Sequence, residues 1–335
     1  MVEVGKIGDK TLVLDGRYIS IFREGKLVWG KKYMPYALPD GNSYWYRRRV
    51  RITELSGNTL TDYQVKIEIG AGDPIFAHAR SAGEDIRFCY YPEEEMLSYW
   101  IEKYDPDAEE AIIWVKVPSI PANSEIEIYM YYGNPTVASA SDGEATFEFF
   151  DDFEDGDYTD KWTLIKGSAS ETNGYLEVSS TSSEEGLIEE NIKEFSDTEG
   201  LIIEGKIMQV TANDLGEILF HGDLTDNNWY IFTVGYADKL HIVKKVGGRE
   251  TELASVSQVI EENVWYDFRV TRKPDGTIIG EILGVNSVSA TDTSLTSGYV
   301  GVRVGGTASD ICRVDNYRVR KFAEPEPSVS VGAEE

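Results

Sequence analysis

Short stretches in which apolar and polar residues alternate run along most of this chain. YQVKIEI (63–69) and EIEIYMY (125–131) alternate with period two, and Gly, Asn, Asp or Pro residues bound such stretches. Because successive side chains of a β-strand point to opposite faces, this period predicts strands with one buried face. Within 42–145, only 73–82 has a pattern compatible with a short helix or turn. The chain is therefore predicted to be all-β, with many short strands.

The 335 residues suffice for two domains and a short extra segment. In segment 1–40, the stretches KTLVL, RYISIF and KLVWG predict three strands joined by glycine turns, too few to bury a core of their own. We therefore expect this β mini-sheet to dock on another surface or to mediate oligomerisation. We expect one β-sandwich at 42–145, a second at 146–323, and a C-terminal tail at 324–335 that holds one further strand at 328–332.

Composition argues against several classes of partner. The chain has 32 basic and 59 acidic residues and a formal net charge of −27, without the basic stripe that a phosphate backbone requires, so we expect no nucleic acid partner. It has no apolar run of roughly 18 residues, so we expect no membrane insertion. The N-terminus lacks the apolar core of a secretory signal peptide. The many Glu and Lys residues of the chain are typical of proteins from thermophiles.

The stretch that starts at residue 44 contains the most specific sequence motifs of the chain. It contains YWYRRRVRIT (44–53), YWIE (99–102), IWVKVP (113–118) and FEFFDDFEDGD (147–157). The sequence of this stretch resembles a β-domain of unknown function. That domain often precedes a concanavalin-A-like (laminin-G-like) jelly roll in bacterial and archaeal surface and virion proteins. The resemblance implies two tandem β-sandwiches, the second of them a concanavalin-A-like jelly roll. Strand count and turn spacing over 146–323 predict twelve to fourteen strands in two packed sheets.

Motifs for catalysis are absent from the sequence. Hydrolases of the jelly-roll group carry Glu-x-Asp-x-x-Glu on one strand, so that alternate carboxylates project into the cleft, and this run does not occur here. The chain also lacks a Gly-x-Ser-x-Gly elbow. We therefore expect a protein that is not an enzyme.

One carboxylate near the end of the second sandwich stands out. In CRVDNYRV (312–319), alternation places Asp315 on the same face as Tyr317 and Val319. A carboxylate on a core face needs an arginine, backbone amides or a hard cation as partner. Related jelly rolls often hold calcium between the last strand and the first, and the first strand here offers Asp151, Asp152, Glu154 and Asp155. The resemblance thus implies a Ca²⁺ site at Asp151, Asp152 and Asp315. Hydrogen bonding without a metal is the alternative.

Two tryptophans beside polar residues suggest a ligand surface. Trp229 follows the loop 223–228, in which Asp223 and Asn228 suit hydroxyl-rich ligands, and Trp265 alternates away from the apolar residues of its strand. We therefore predict Asp223, Asn228, Trp229 and Trp265 as ligand-binding residues. Packing in the core or at the rim is the alternative role for either tryptophan, since β-sandwich cores are rich in aromatic residues.

These observations favour a non-enzymatic adhesion or structural subunit of a virion tail or spike, or of a cell-surface appendage. We expect it on the virion or the extracellular surface, in contact with a glycan or a host surface protein. We expect a homo-oligomer, a trimer by analogy with tail fibres, or docking to a larger assembly. The alternatives are a secreted glycan-active enzyme or its carbohydrate-binding subunit, and a structural spacer without a ligand.

Overall fold

The structure of the chain is a computed structural model in which almost all regular structure is strand. It describes residues 2–7, 10–15, 18–23, 26–32, 35–90, 95–181, 185–210, 215–305 and 310–335. Within these residues no helix is long and apolar enough to span a membrane. The chain divides into two compact units: unit 1 comprises Met1–Thr146 and Pro327–Glu335, and unit 2 comprises Phe147–Glu326.

Among the residues that the structure describes, unit 1 contains fourteen strands and two short helices. Its strands, numbered in chain order, are β1 (Val2–Ile7), β2 (Lys10–Asp15), β3 (Tyr18–Arg23), β4 (Lys26–Lys32), β5 (Tyr36–Ala37), β6 (Ser43–Tyr44), β7 (Tyr46–Thr53), β8 (Leu60–Ile69), β9 (Arg87–Tyr90), β10 (Met96–Leu97), β11 (Tyr99–Asp105), β12 (Glu110–Ile120), β13 (Glu125–Tyr132) and β30 (Ser328–Glu334). Its helices are α1 (Ile75–His78) and α2 (Gly143–Thr146).

The larger sheets of unit 1 form a β-sandwich. One has the strand order β10-β9-β13-β7-β30 and the other has the order β11-β12-β8. Alternate residues of these strands are fully buried, among them Val50, Ile52, Ile67, Ile113 and Ile128. Burial on β8 follows the alternation that predicted this strand from Val65 to Ile69, whereas Gln64 is buried as well. The core between the sheets is therefore built from the period-two apolar positions.

The N-terminal segment forms a separate four-stranded antiparallel sheet, β1-β2-β3-β4. Three of these strands correspond to the predicted ones, and β1 is additional. The predicted role of segment 1–40 in docking or oligomerisation stays a prediction.

The segment predicted as a C-terminal tail contributes the edge strand β30. It pairs antiparallel with β7, with Val331 opposite Val50 and Ser328 opposite Thr53. The chain therefore leaves unit 1 after Thr146 and returns to it at Pro327, so that unit 2 is inserted into unit 1 in sequence.

Unit 2 contains the remaining strands and two 3-10 turns, Tyr158–Asp160 and Tyr236–Asp238. Its strands are β14 (Phe149–Asp151), β15 (Trp162–Lys166), β16 (Ser168–Glu171), β17 (Leu176–Ser179), β18 (Gly186–Glu190), β19 (Phe195–Ser196), β20 (Leu201–Gln209), β21 (Leu215–Gly222), β22 (Trp229–Val234), β23 (Lys239–Val246), β24 (Arg249–Ser257), β25 (Trp265–Arg272), β26 (Thr277–Ile282), β27 (Asn286–Thr291), β28 (Ser297–Gly305) and β29 (Ile311–Lys321).

Two eight-stranded sheets enclose the core of unit 2. Sheet I has the order β16-β17-β29-β20-β25-β26-β27, with β14 also paired to β29, and sheet II has the order β15-β18-β28-β21-β22-β23-β24, with β19 also paired to β28. One apolar cluster joins them, with Phe268 and Val314 from sheet I and Phe232 and Val302 from sheet II. The predicted all-β fold with two β-sandwiches is confirmed, although the second sandwich is inserted into the first rather than following it in tandem. Short strands such as β14 and β19 raise the strand number above the predicted twelve to fourteen.

A buried ion cluster lies on the face of sheet I that points away from this core. The carboxylate of Glu204 on β20 accepts hydrogen bonds from Arg269 at 2.6 Å, Arg318 at 3.3 Å and Arg320 at 3.1 Å. Burial opposes ionisation of Glu204, but the guanidinium groups outweigh it and hold its pKa well below the usual range. Glu204 therefore ties β20, β25 and β29 together.

Replacing Glu204 by alanine should lower the free energy of unfolding of unit 2 by about 3–5 kcal/mol, because it leaves buried guanidinium groups without a counter-charge. Chemical denaturation of the full chain measures this loss. The matched control is Glu324→Ala, which removes the half-exposed partner of Lys273 and should cost less than about 1 kcal/mol. Equal losses for the two variants would contradict the role given to Glu204.

Candidate functional site

Four strands of sheet I bring one row of side chains onto the face away from the core. Glu177 of β17 lies opposite Arg313 of β29, and Arg313 lies opposite Met208 of β20. Met208 in turn lies opposite Trp265 of β25. Directly opposed residues of paired strands point to the same face. Trp265 therefore faces outward, as its alternation predicted, and its role in ligand binding stays a prediction.

Two partly exposed aromatic rings meet above this row. The ring of Tyr175, which immediately precedes β17, has its centroid 6.1 Å from that of Trp265, with 58° between the ring planes. The guanidinium of Arg313 lies 4.8 Å from the Tyr175 ring centroid and forms an ion pair with Glu177 at 2.8 Å. Stacking and the ion pair together fix the tyrosine ring. We call Tyr175, Met208, Trp265 and Arg313 the aromatic platform.

Charged side chains border the aromatic platform. In the next row of the same face, Lys206 of β20 lies opposite Asp315 of β29 on one side and opposite Asp267 of β25 on the other. Asp267 is exposed, whereas Lys206 and Asp315 are half-buried. The platform thus presents flat apolar surface beside an ammonium group and two carboxylates. Such a surface can stack a ring and hydrogen-bond its polar substituents.

A β-bulge explains why Asp315 belongs to this outer face. Strand β29 uses three residue steps where β20 uses two, and Asn316 has a left-handed backbone with φ of 51°. Val314 and Tyr317, three positions apart, consequently both lie in the core. The prediction that Asp315 shares a face with Tyr317 and Val319 is therefore wrong, because the extra residue reverses the alternation.

Asp315 is nevertheless an unusual carboxylate. Partial burial is the main factor that raises its pKa to about 6; the carboxylates of Glu154 and Asp152 raise it further, while the Asn316 amide and Lys206 oppose the rise. The negative charges of Glu154 and Asp152 therefore act on Asp315, and Lys206 offsets them only in part.

Asp151, the third predicted calcium ligand, is engaged elsewhere. Its carboxylate accepts hydrogen bonds from the Trp162 indole at 2.7 Å and from the Phe153 backbone amide at 3.0 Å. In the part of the chain that the structure describes, no three His, Cys, Asp or Glu side chains lie close enough to hold a metal ion. The side chains alone therefore do not form the complete predicted calcium site, and a site at Asp315 and Asp152 would need backbone carbonyls as further ligands.

The predicted rim loop of sheet II is held by its own hydrogen bonds. Asp223 accepts from the Thr225 hydroxyl at 2.6 Å and from the Asn228 side-chain amide at 2.7 Å, and the Asn228 carbonyl accepts from the Gly247 amide at 3.0 Å. Trp229 is fully buried and donates to Asp226. In this structure Asp223 and Asn228 stabilise the loop, and the ring of Trp229 is not accessible to a ligand.

Trp229 is buried because sheet II is strongly curled. The Arg303 guanidinium on β28 lies 5.1 Å from the Trp229 ring centroid and 3.4 Å from the Glu250 carboxylate on β24. Three strands separate β28 from β24, a span of about 19 Å at about 4.8 Å per strand, which two side chains cannot bridge on a flat sheet. The Lys245 ammonium group also lies over the ring, 5.0 Å from its centroid.

Two buried carboxyl groups of β18 could not be recognised from the sequence. Burial raises the pKa of Glu189 to about 8, and the nearby charges of Asp223 and Glu190 add to the rise. Burial also raises the pKa of Glu190 to about 7. Both side chains have no exposed surface. Their sequence neighbours form an ordinary strand pattern, so no local signal marks them.

Comparison with known proteins gives a family match in one part of the chain. Residues 82–165 match the family model of a domain of unknown function, DUF2341. This match spans the end of the first part of unit 1 and the beginning of unit 2. No curated protein matches the sequence.

Solved structures resemble about half of the chain. A carbohydrate-binding module, CBM66, from Bacillus subtilis has a TM-score of 0.43 and 16% identity, over 48% of this chain and 96% of its own. A Bacillus subtilis protein of unknown function with a galectin-like fold has a TM-score of 0.44 and 14% identity, over 53% and 96%. A Bacillus licheniformis β-glucanase has a TM-score of 0.40 and 14% identity, over 52% and 98%. These low TM-scores and identities do not identify a ligand for this chain.

If calcium binds at Asp315, a chelator should lower the melting temperature of unit 2, because a ligand that binds only the folded state stabilises it. Differential scanning calorimetry with calcium or a chelator measures the shift. Asp315→Asn should abolish the calcium response, whereas Asp275→Asn, an exposed position, should retain it. No shift with chelator in the wild-type protein would show that Asp315 is held by hydrogen bonds alone.

Glu189 should make unit 2 less stable as pH rises from about 4.5 to 8. The unfolded carboxyl ionises near pH 4.3, whereas the folded one keeps its proton to about pH 8, so the unfolded state binds fewer protons in this window. Glu189→Gln should raise the free energy of unfolding at pH 8 by about 1–3 kcal/mol and flatten its decline. Urea denaturation across this range measures both effects.

The control for this pH dependence is Glu261→Gln, at an exposed position, which should leave the profile unchanged. A Glu189→Gln variant that is less stable than wild type at pH 8 would mean that Glu189 is ionised and stabilising in the folded state.

Proposed function

We propose that the chain is a non-enzymatic glycan-binding subunit and that unit 2 contacts its glycan through the aromatic platform. The observation that carries this proposal is the partly exposed pair of Tyr175 and Trp265 beside Lys206, Asp267 and Asp315. The C–H faces of a sugar ring pack on flat aromatic surface, and its hydroxyl groups hydrogen-bond with charged side chains.

The platform is ordered before any ligand arrives. Arg313 is stacked on Tyr175 and paired with Glu177, and Met208 is buried between the strands that carry the other platform residues. Because these side chains already have fixed partners, a ligand does not have to order them, and less of the binding free energy is lost. A fixed, shallow surface of this kind suits a sugar chain, whereas a small molecule would need a deep pocket.

The charges favour a neutral glycan. Glu177, Asp267 and Asp315 face Arg313 and Lys206, and the whole chain has a formal net charge of −27. Long-range repulsion disfavours polysaccharides that carry carboxylates or sulfates. Uncharged hexose polymers avoid this repulsion while still offering hydroxyl groups to the carboxylates.

Burial of the most perturbed carboxyl groups supports the non-enzymatic reading. A glycosidase needs a carboxylic acid with a raised pKa that reaches the glycosidic oxygen. Glu189 and Glu190 have raised pKa values, but neither side chain has exposed surface. Asp315, whose pKa is raised to about 6, is only half-buried and borders the platform, so a glycan-active enzyme remains the alternative. Turnover of neutral polysaccharides by the purified protein would favour it.

We propose a virion tail or spike, or a cell-surface appendage, as the setting of this subunit. The strongly acidic composition supports it, because such a surface remains soluble and does not adhere to anionic polymers. In this setting the N-terminal sheet would join copies, as a trimer or on a larger assembly. A structural spacer without a ligand is the alternative if no glycan binds.

Trp265→Ala and Tyr175→Ala should each weaken binding of a neutral glycan at least tenfold, about 1.4 kcal/mol, because each removes half of the stacking surface. A glycan array identifies the ligand, and titration calorimetry measures the affinity. The matched control is Tyr236→Ala, which removes a tyrosine that is 51% exposed near sheet II. Wild-type affinity in the Trp265→Ala variant would place the ligand elsewhere, and no binding on the array would favour the spacer.

A further inference from the structure

Strand β30 completes a sheet to which it contributes no buried side chain. Its residues alternate between exposed and half-buried positions along Ser328–Glu334. The inward Val329 and Val331 line a cleft of 490 Å³, together with Lys66 and Ile69 from β8. A second cleft of 400 Å³ lies along the other face of the strand, beside Arg49 and Ser330. β30 is therefore held without a tightly packed core beneath it.

What holds β30 is the backbone ladder with β7 and a set of polar contacts near its end. The Arg48 guanidinium donates to the Gly332 carbonyl at 2.7 Å, and the Tyr132 hydroxyl donates to the Glu334 carboxylate at 2.8 Å. His78 also lies 2.8 Å from that carboxylate. Arg47 and Glu335 join through a 2.8 Å ion pair and through their backbones. Each of these contacts can form equally well with the same segment of another copy.

The strand that β30 covers cannot easily remain uncovered. β7 lies between β13 and β30, so removal of β30 would leave one edge of β7 with unpaired backbone N–H and C=O groups. Such an edge is a template for another strand, and the segment with matching register and matching polar contacts is β30 itself. Between the end of β29 at Lys321 and the start of β30 at Ser328 lie only six residues, with prolines at 325 and 327.

We propose that β30 exchanges between copies of this chain, so that the last strand of one molecule pairs with β7 of a second. A second copy is the partner because the sequence of this segment determines both the register with β7 and the contacts at Gly332, Glu334 and Glu335. Since β30 has no buried side chain of its own, the exchange replaces one set of contacts by an identical set. The linkage is independent of the N-terminal sheet and of the glycan surface.

Disulfide trapping in the full chain tests this exchange. Arg51 and Ser330 are both exposed and directly opposed in the β7–β30 pair. One preparation carries Arg51→Cys and another carries Ser330→Cys; both natural cysteines are fully buried. After the two are mixed and mildly oxidised, a 51–330 bridge between different chains should form and increase with protein concentration. Peptide mass mapping identifies the bridge. Thr53→Cys with Ser328→Cys gives an independent opposed pair.

The control mixture pairs Arg51→Cys with Asp275→Cys, an exposed position in unit 2, and reports random encounters. The double variant Arg51→Cys/Ser330→Cys, oxidised at high dilution, locks the strand within one chain. In light scattering it should form smaller assemblies than the wild type, because only association through the N-terminal sheet remains. Interchain 51–330 and 53–328 bridges no more abundant than the control would overturn the proposal. A locked variant that assembles to the same size as the wild type would also overturn it, because β30 would then not join the chains.

Discussion

The pairing of β29 with three other strands is the interaction on which unit 2 depends. This strand comes last in the unit, yet it lies inside sheet I and pairs with β14, β17 and β20. It sends Val314 and Tyr317 into the core and presents Arg313 and Asp315 on the outer face. Closure by a late strand recurs in unit 1, where β30 pairs with β7. Both units therefore depend on contacts between residues far apart in sequence.

Charge pairing decides which outer surfaces are available to a ligand. Around Glu204 on sheet I and Arg303 on sheet II, carboxylates and guanidinium groups are buried and satisfy one another. Breaking either cluster would leave a buried charge without its counter-charge, so both clusters stabilise the fold. The aromatic platform differs because Trp265 and Tyr175 keep exposed surface beside charged groups. This difference, rather than the number of tryptophans, distinguishes it from the surface around Trp229.

Alternation along each strand predicted the all-β fold, since burial follows period two on strands such as β26. The same reasoning failed at Asp315, because a one-residue bulge at Asn316 reverses every later position and leaves no clear mark in the sequence. Trp229 could not be assigned locally either, since the curl of sheet II buries it. Tyr175 and Trp265 are far apart in sequence, and the order of the strands in sheet I brings them together. Sequence motifs alone therefore could not predict the aromatic platform.

A crystal structure of the full chain with a neutral oligosaccharide bound would test the central claim most directly. Our account predicts a sugar ring stacked on Trp265 and Tyr175, with its hydroxyl groups within hydrogen-bond distance of Asp267, Lys206 or Asp315. A sugar bound instead on the outer face of sheet II, with Arg303 and Glu250 moved apart and Trp229 uncovered, would contradict it.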